Sequence, residues 1–133
     1  EKEALEFYGK NLGLTFQIAD DTLDYNSDLK FFGKQIGKDF FEGKITLPVI
    51  LLFQKVTSSE KEKLKNMFKS ELRSNENFNY TLMLIKKYNI IKECYKKAEH
   101  FISLASNSLT VFEESEEKKV LKDLTSFSLE RNF

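Results

Sequence analysis

Apolar residues recur along most of this chain at steps of three and four, and the first such stretch runs from about Lys2 to Tyr25. That period is helical. The stretch opens on Glu1-Lys2-Glu3 with no capping residue and no preceding apolar staple, so its start reads as a cut made inside a helix. From Asn26 to Gly43 the pattern breaks into Asn-Ser-Asp, Phe-Gly-Lys and Ile-Gly-Lys-Asp, which is loop chemistry. Thr46-Leu47-Pro48 then restarts a helix, because Pro is tolerated in a first turn, where its missing N–H has no partner to lose.

A hydroxyl cap within Thr57-Ser58-Ser59, followed by Glu60 and Glu62, marks another start, with helix to about Ser70. After the polar stretch Ser74 to Asn77, a helix through Leu82 and Ile85 ends near Asn89. Ile91, Cys94, Tyr95, Ala98, Phe101, Ile102, Ala105 and Leu109 share one face of the cleanest amphipathic helix. A last helix, roughly Ser115 to Arg131, is expected to turn Val120, Leu121, Leu124 and Phe127 inward. No segment alternates with period two, and the five Gly and the single Pro all lie between Gly9 and Pro48. The predicted fold is all-α.

The 133 residues suffice for one core, and one folding unit is expected. With 32% charged residues and a formal net charge of +0, the chain has no global attraction to nucleic acid or to an anionic membrane, so any charge-based function is local. The single Cys94 excludes an intramolecular disulfide and, lying on the apolar stripe, reads as a buried, inert thiol. His100 has no matching His or Cys partner and reads as a surface residue. The longest apolar run, Leu47 to Phe53, is a buried helix and far short of the ~20 residues a membrane span needs. A soluble, cytoplasmic protein with no leader is the expectation.

The chemistry lies at the end of the first helix. At about 100° per residue, Gly9, Gly13, Phe16, Gln17, Asp20 and Asp24 fall within one stripe, with Asp21 at its border. Asp20 and Asp24 are helix neighbours at i,i+4, with Cβ atoms about 5–6 Å apart. Three acids at a helix C-terminus, which already carries roughly half a negative charge, call for a cation. Magnesium suits, since it takes hard oxygen ligands, keeps several waters and bridges carboxylates to phosphates. Just downstream, Lys34, Lys38 and Lys44 sit in a Gly-rich loop where ammonium groups can meet phosphate oxygens. Acids that hold metal beside lysines that hold an anion make a diphosphate cradle.

The run Gly13-Leu14-Thr15-Phe16-Gln17-Ile18-Ala19-Asp20-Asp21-Thr22-Leu23-Asp24-Tyr25, then Gly33-Lys34-Gln35-Ile36-Gly37-Lys38-Asp39, then Glu42-Gly43-Lys44-Ile45-Thr46-Leu47-Pro48, resembles the trans-isoprenyl diphosphate synthases, especially the long-chain, octaprenyl-type polyprenyl members. The resemblance implies an all-helical isoprenoid synthase bundle of which this chain is the C-terminal portion. It would be a single partial domain over 1–133, with a motif block at about 9–48 and a helical region at 49–133. It implies a prenyltransferase that adds isopentenyl diphosphate to an allylic diphosphate in a magnesium-dependent reaction, acts as a homodimer, and meets membrane only through its lipid product. Residue by residue, Asp20 would ligate magnesium, with Asp21 and Asp24 supporting it. Lys34 and Lys44 would hold the allylic diphosphate, and Phe16 and Gln17 would lie near the reacting carbons. Arg131 resembles a basic ending that approaches isopentenyl diphosphate in some members. Lys38 stands where many relatives carry an acid, and Ile45 where many carry Pro.

Asp occurs only at 20, 21, 24, 28, 39 and 123, so the family's first Asp-rich motif has no counterpart here, and the chain alone is expected to be inactive. Apolar faces, including part of the first helix, are expected to be left open to self-association. A non-catalytic short subunit or a structural helical fragment that packs against a partner is the alternative, and a terpene cyclase a further one. Asp39 is expected to orient its loop through backbone amides, and Asp28 to be dispensable. Phe101, Phe112 and Phe127 are assigned to the core, while Phe31, Phe32, Phe40 and Phe41 are expected to pack the loop down.

Overall fold

The computed structural model describes residues 1–26 and 36–132, and the side chains as far as residue 128. All regular structure among them is helical, as the apolar periodicity predicts. The helices are α1 (Lys2–Leu23), α2 (Lys38–Phe41), α3 (Leu47–Lys55), α4 (Ser58–Lys69), α5 (Asn75–Lys87), α6 (Ile90–Ser108) and α7 (Glu116–Asn132), with a 3-10 turn at Leu109–Val111 before α7. The chain forms two compact units, one from residues 1–20 and 95–133, the other from residues 21–94.

In the first unit, Tyr8, Ala105 and Leu109 form a core against which Leu12, Phe112 and Leu121 pack. The Tyr8 hydroxyl donates to the Leu121 carbonyl at 2.7 Å, which fixes the side of α7 that faces inward. That side is the expected one only at Leu121. Val120, Leu124 and Phe127 are exposed, Phe127 at 55%, whereas Lys118, Thr125 and Ser128 are buried. Polar side chains tolerate this because each has local acceptors. Thr125 Oγ1 donates to the Lys122 carbonyl at 2.6 Å and Ser128 Oγ to the Leu124 carbonyl at 2.7 Å. Lys118 Nζ reaches both the Phe112 carbonyl and Glu114 Oε1 at 2.8 Å. Periodicity located α7 and placed Leu121 correctly, but Val120, Leu124 and Phe127 face outward, a facing that these satisfied polar groups make tolerable.

The buried side of α1 works the same way. Asn11 Nδ2 donates to the Phe7 carbonyl at 2.8 Å and Thr15 Oγ1 to the Asn11 carbonyl at 3.0 Å, so buried polar groups are absorbed by the helix's own turn. Leu5 and Phe16 on one flank of that buried side, and Phe7 and Leu14 on the other, are exposed.

In the second unit, Leu52, Val49, Leu64, Leu84, Ile85, Ile90 and Cys94 are fully or almost fully buried. Pro48 sits in the first turn of α3, as expected. Two capping boxes start helices here: Thr57 Oγ1 accepts from the Glu60 N–H while Glu60 accepts from the Thr57 N–H, and Ser74 and Asn77 do likewise for α5. The second was read in the sequence only as a polar stretch, because Asn replaces the usual Glu or Gln at its third position. Cys94 is buried, and burial pushes its thiol up to about 11, which makes it inert as expected. His100 is exposed. Among the described residues no helix is long and apolar enough to cross a membrane.

Glu60 also joins α4 to α5. Its carboxylate accepts from Lys87 Nζ at 2.8 Å and from the Tyr88 hydroxyl. Lys87, then Tyr88, then the Thr57 N–H hold the carboxyl down to about 2. A depressed folded pKa contributes stability at pH above the unfolded value, about 4.3, and loses it as pH falls below that. We therefore expect the urea midpoint of the protein to fall between pH 4 and 2, and Glu60→Gln to flatten that part of the curve. Parallel curves for the two proteins would show that the network does not contribute.

Candidate diphosphate and metal site

The end of α1 closes in a tight turn rather than continuing through Tyr25. The Tyr25 N–H bonds the Thr22 carbonyl at 3.0 Å and the Asn26 N–H the Leu23 carbonyl at 3.3 Å. Asp24 consequently leaves the expected stripe. Gly9, Gly13, Phe16, Gln17 and Asp20 are all exposed on α1, with open space where a Cβ would stand at either glycine. Asp21 is half-buried and Asp24 is only 7% exposed.

A buried carboxylate needs donors. Asp24 Oδ2 accepts from the N–H of Asp39 at 2.8 Å, so the anchoring runs opposite to the expected direction: Asp39 supplies the amide and Asp24 the carboxylate. That bond lies one residue inside α2, whose first amides have no intrahelical partners, and an acid there also meets the positive end of the peptide dipoles. Gly37 opens α2 at φ 92, a left-handed conformation, and a Cβ on it would stand 2.7 Å from Cζ of Phe78. Phe40 is wholly buried and its ring sits 5.3 Å from that of Phe78 and 5.4 Å from that of Phe68. Phe40 and Phe41 thus pack the segment down, as expected.

Asp39 lies against Asp24 with its carboxyl raised to about 6, first by burial, then by a side-chain hydrogen bond to Asp24 and by the charges of Asp24 and Asp21. Tyr25, 1% exposed, has its hydroxyl pushed far above the usual range by burial and by the same three acids, with Arg73 opposing. That hydroxyl is buried without a hydrogen-bond partner among the described residues. Lys44 follows on the surface, its Nζ 3.5 Å from Glu42 Oε2 and 3.9 Å from Asp39 Oδ1. Exposed pairs of this kind are weak and exchangeable, so the ammonium is free to take another anion.

Lys34, Asp28, Lys30, Phe31 and Phe32 lie outside the described residues, as does the side chain of Arg131. Among the described residues no group of three His, Cys, Asp or Glu side chains is gathered to hold a metal ion. The donor chemistry nevertheless fits magnesium. Asp20 and Asp21 offer hard oxygens with access to water, and magnesium is commonly held by one or two carboxylates while substrate phosphates and waters complete its shell. The Asp24–Asp39 pair was hidden in the sequence, because two acids 15 residues apart carry no signal that one receives the other's amide.

Among the described residues, then, an all-helical fold carries carboxylates at the end of one helix and a lysine on the turn after α2. Residues 1–85 match the polyprenyl synthetase family, and the chain belongs to it. It is 33% identical to a short chain isoprenyl diphosphate synthase of Methanothermobacter thermautotrophicus, covering 98% of this chain and 40% of that protein. It is 27% identical to the octaprenyl diphosphate synthase of Haemophilus influenzae, over 100% of this chain and 40% of the relative. Among solved structures it resembles a decaprenyl diphosphate synthase from Rhodobacter capsulatus, with TM-score 0.89 and 28% identity over 98% of this chain and 40% of that one. It also resembles a polyprenyl synthase from Caulobacter crescentus complexed with calcium and isoprenyl diphosphate, with TM-score 0.86 and 32% identity over 98% and 40%. The chain therefore spans about two fifths of the length of these relatives.

Asp24 and Asp20 separate structure from exposed chemistry. Asp24→Ala strands a partly buried N–H and should cost about 1–3 kcal/mol in urea unfolding, whereas Asp20→Ala, at an exposed position, should stay within about 0.5 kcal/mol. Equal losses would remove the distinction. A second test is the titration of Asp39. A raised acid favours the fold below its unfolded value, and that contribution is lost as pH rises through about 6. Stability should thus fall as pH goes from 4 to 6 at this site, and Asp39→Asn should abolish that fall when urea midpoints are compared.

Proposed function

We propose that this chain is the part of a trans-polyprenyl diphosphate synthase, of long-chain octaprenyl type, that supplies the second Asp-rich wall of the active site and the lysines beside it. The complete enzyme would condense isopentenyl diphosphate with an allylic diphosphate. What supports this most is that residues 1–85, the stretch matching the family, contain the whole block from Phe16 to Pro48. Residues 1–133 are taken as one partial domain of that enzyme.

Asp20 and Asp21 would hold magnesium, with Asp24 supporting them chiefly by fixing the turn that follows. The relative from Caulobacter crescentus, complexed with calcium and isoprenyl diphosphate, favours a divalent ion with a diphosphate in this fold. When bound, the ion supplies positive charge that makes the diphosphate a better leaving group. Lys44 and Lys34 would take the allylic diphosphate oxygens as point charges, Lys44 exchanging its surface acids for phosphate. Phe16 and Gln17, exposed on α1, would face the prenyl chain and the isopentenyl group. A cytoplasmic homodimer that meets lipid only as product accompanies this reading.

The purified chain with magnesium and both diphosphates should yield no elongated product. Joined behind the remaining three fifths of a relative such as the Haemophilus enzyme, it should. In that chimera Asp20→Ala should lower turnover by roughly 10²-fold or more, in line with removal of a charge-stabilising group, while Asp123→Ala should leave it unchanged. A folded chimera without product, or one indifferent to Asp20→Ala, would sink the proposal. Hydrocarbon released from the allylic diphosphate alone would point to a cyclase instead.

A further inference from the structure

The turn that delivers Lys44 is gripped from a point well beyond the motif block. The Arg73 side chain lies between the end of α4 and the end of α2. Its Nη1 donates to the Ser70 carbonyl at 2.6 Å and the Met67 carbonyl at 3.2 Å. Its Nη2 donates to the Phe41 carbonyl at 3.3 Å and the Glu71 carbonyl at 3.3 Å. The first two partners are carbonyls at a helix C-terminus, which lack intrahelical donors and present partial negative charge. Phe41 belongs to the other side of the gap. A planar guanidinium presents two separate Nη groups and so reaches four carbonyls across the gap, more than the three donors on one ammonium nitrogen can satisfy.

Gly43 shows how closely the turn lies against this fork. Its φ is 77, and a Cβ built on it would stand 2.9 Å from Nη2 of Arg73. The Gly43 N–H bonds the Phe40 carbonyl at 3.0 Å and the next amide, that of Lys44, bonds the Asp39 carbonyl at 2.9 Å. The segment from Asp39 to Lys44 is therefore tied at its start by Asp24 and midway, at Phe41, by Arg73. Lys44 follows three residues after the second tie, with its Nζ at the surface.

We propose that Arg73 is a positioning residue for the diphosphate site: its guanidinium locks the turn at Phe41–Gly43 onto the end of α4 and so sets the direction in which Lys44 meets phosphate. The part of this that concerns phosphate rests on the proposed function. The clamp itself does not.

Both parts are measurable on the 133-residue chain, by native-state amide hydrogen exchange and by calorimetric titration of inorganic pyrophosphate in the presence of magnesium. Arg73→Lys and Arg73→Gln should each raise exchange at Gly43 and Lys44 about tenfold, leaving exchange at Leu84 and Ile85 in α5 unchanged, as for a local opening. Both should weaken pyrophosphate binding about fivefold or more, with no rescue by Lys. Gly43→Ala, whose Cβ would displace the Arg73 guanidinium and strain a turn at φ 77, should reproduce both effects and serves if an Arg73 variant fails to fold. Lys44→Ala should weaken binding while leaving exchange at Gly43 unchanged. Unaltered exchange in Arg73→Lys and Gly43→Ala would overturn the clamp. Raised exchange with unaltered affinity, or full affinity in Arg73→Lys, would overturn the positioning role. If the parent chain bound no pyrophosphate, the diphosphate reading and the positioning role would both fall, and exchange would still decide the clamp.

Discussion

A carboxylate taken out of water must be met by donors, and the hydrogen bond from the Asp39 N–H to Asp24 is how this protein meets that demand. The rest of the site follows from it. Because Asp24 is committed to the start of α2, the chain after α1 returns to the helix it left, and the segment carrying Lys44 is held in the same compact unit as Asp21. The Asp-rich motif is accordingly divided in environment: Asp20 is exposed, Asp21 is half-buried, and Asp24 is buried and bonded to the Asp39 amide.

Burial of an acid beside other acids also carries an electrostatic cost. Asp39 bears it, with its carboxyl raised to about 6, and Tyr25 bears it with a hydroxyl driven further from ionisation. The aromatic rings of Phe40, Phe41 and Phe78 exclude water from one side of α2 and strengthen these effects. Lys44 stands at the wet edge, where its attraction to Asp39 and Glu42 is weak enough to be exchanged.

The first unit poses a different packing problem. On α7 the polar Thr125 and Ser128 are buried because each bonds its own preceding turn, while Val120, Leu124 and Phe127 stay in contact with solvent. The exposed apolar residues Leu5, Phe7, Leu14 and Phe16 of α1, on two flanks of that helix, belong to the same unit.

Local physics was legible from residues alone. The apolar period gave the long helices, Thr57 with Glu60 gave a start, Pro48 gave another, and the order of Phe16, Gln17, the aspartates, Lys44 and Thr46-Leu47-Pro48 gave the family. These signals live in residues that are neighbours along the chain, or one helical turn apart. Four outcomes needed the folded chain: the closing turn that withdraws Asp24 from its stripe, the amide of Asp39 that receives it, the grip of Arg73 on Phe41, and the outward facing of Val120, Leu124 and Phe127 on α7. Each turns on a backbone carbonyl or amide as partner, a group that every residue carries and that no sequence pattern distinguishes, so only tertiary placement could assign it.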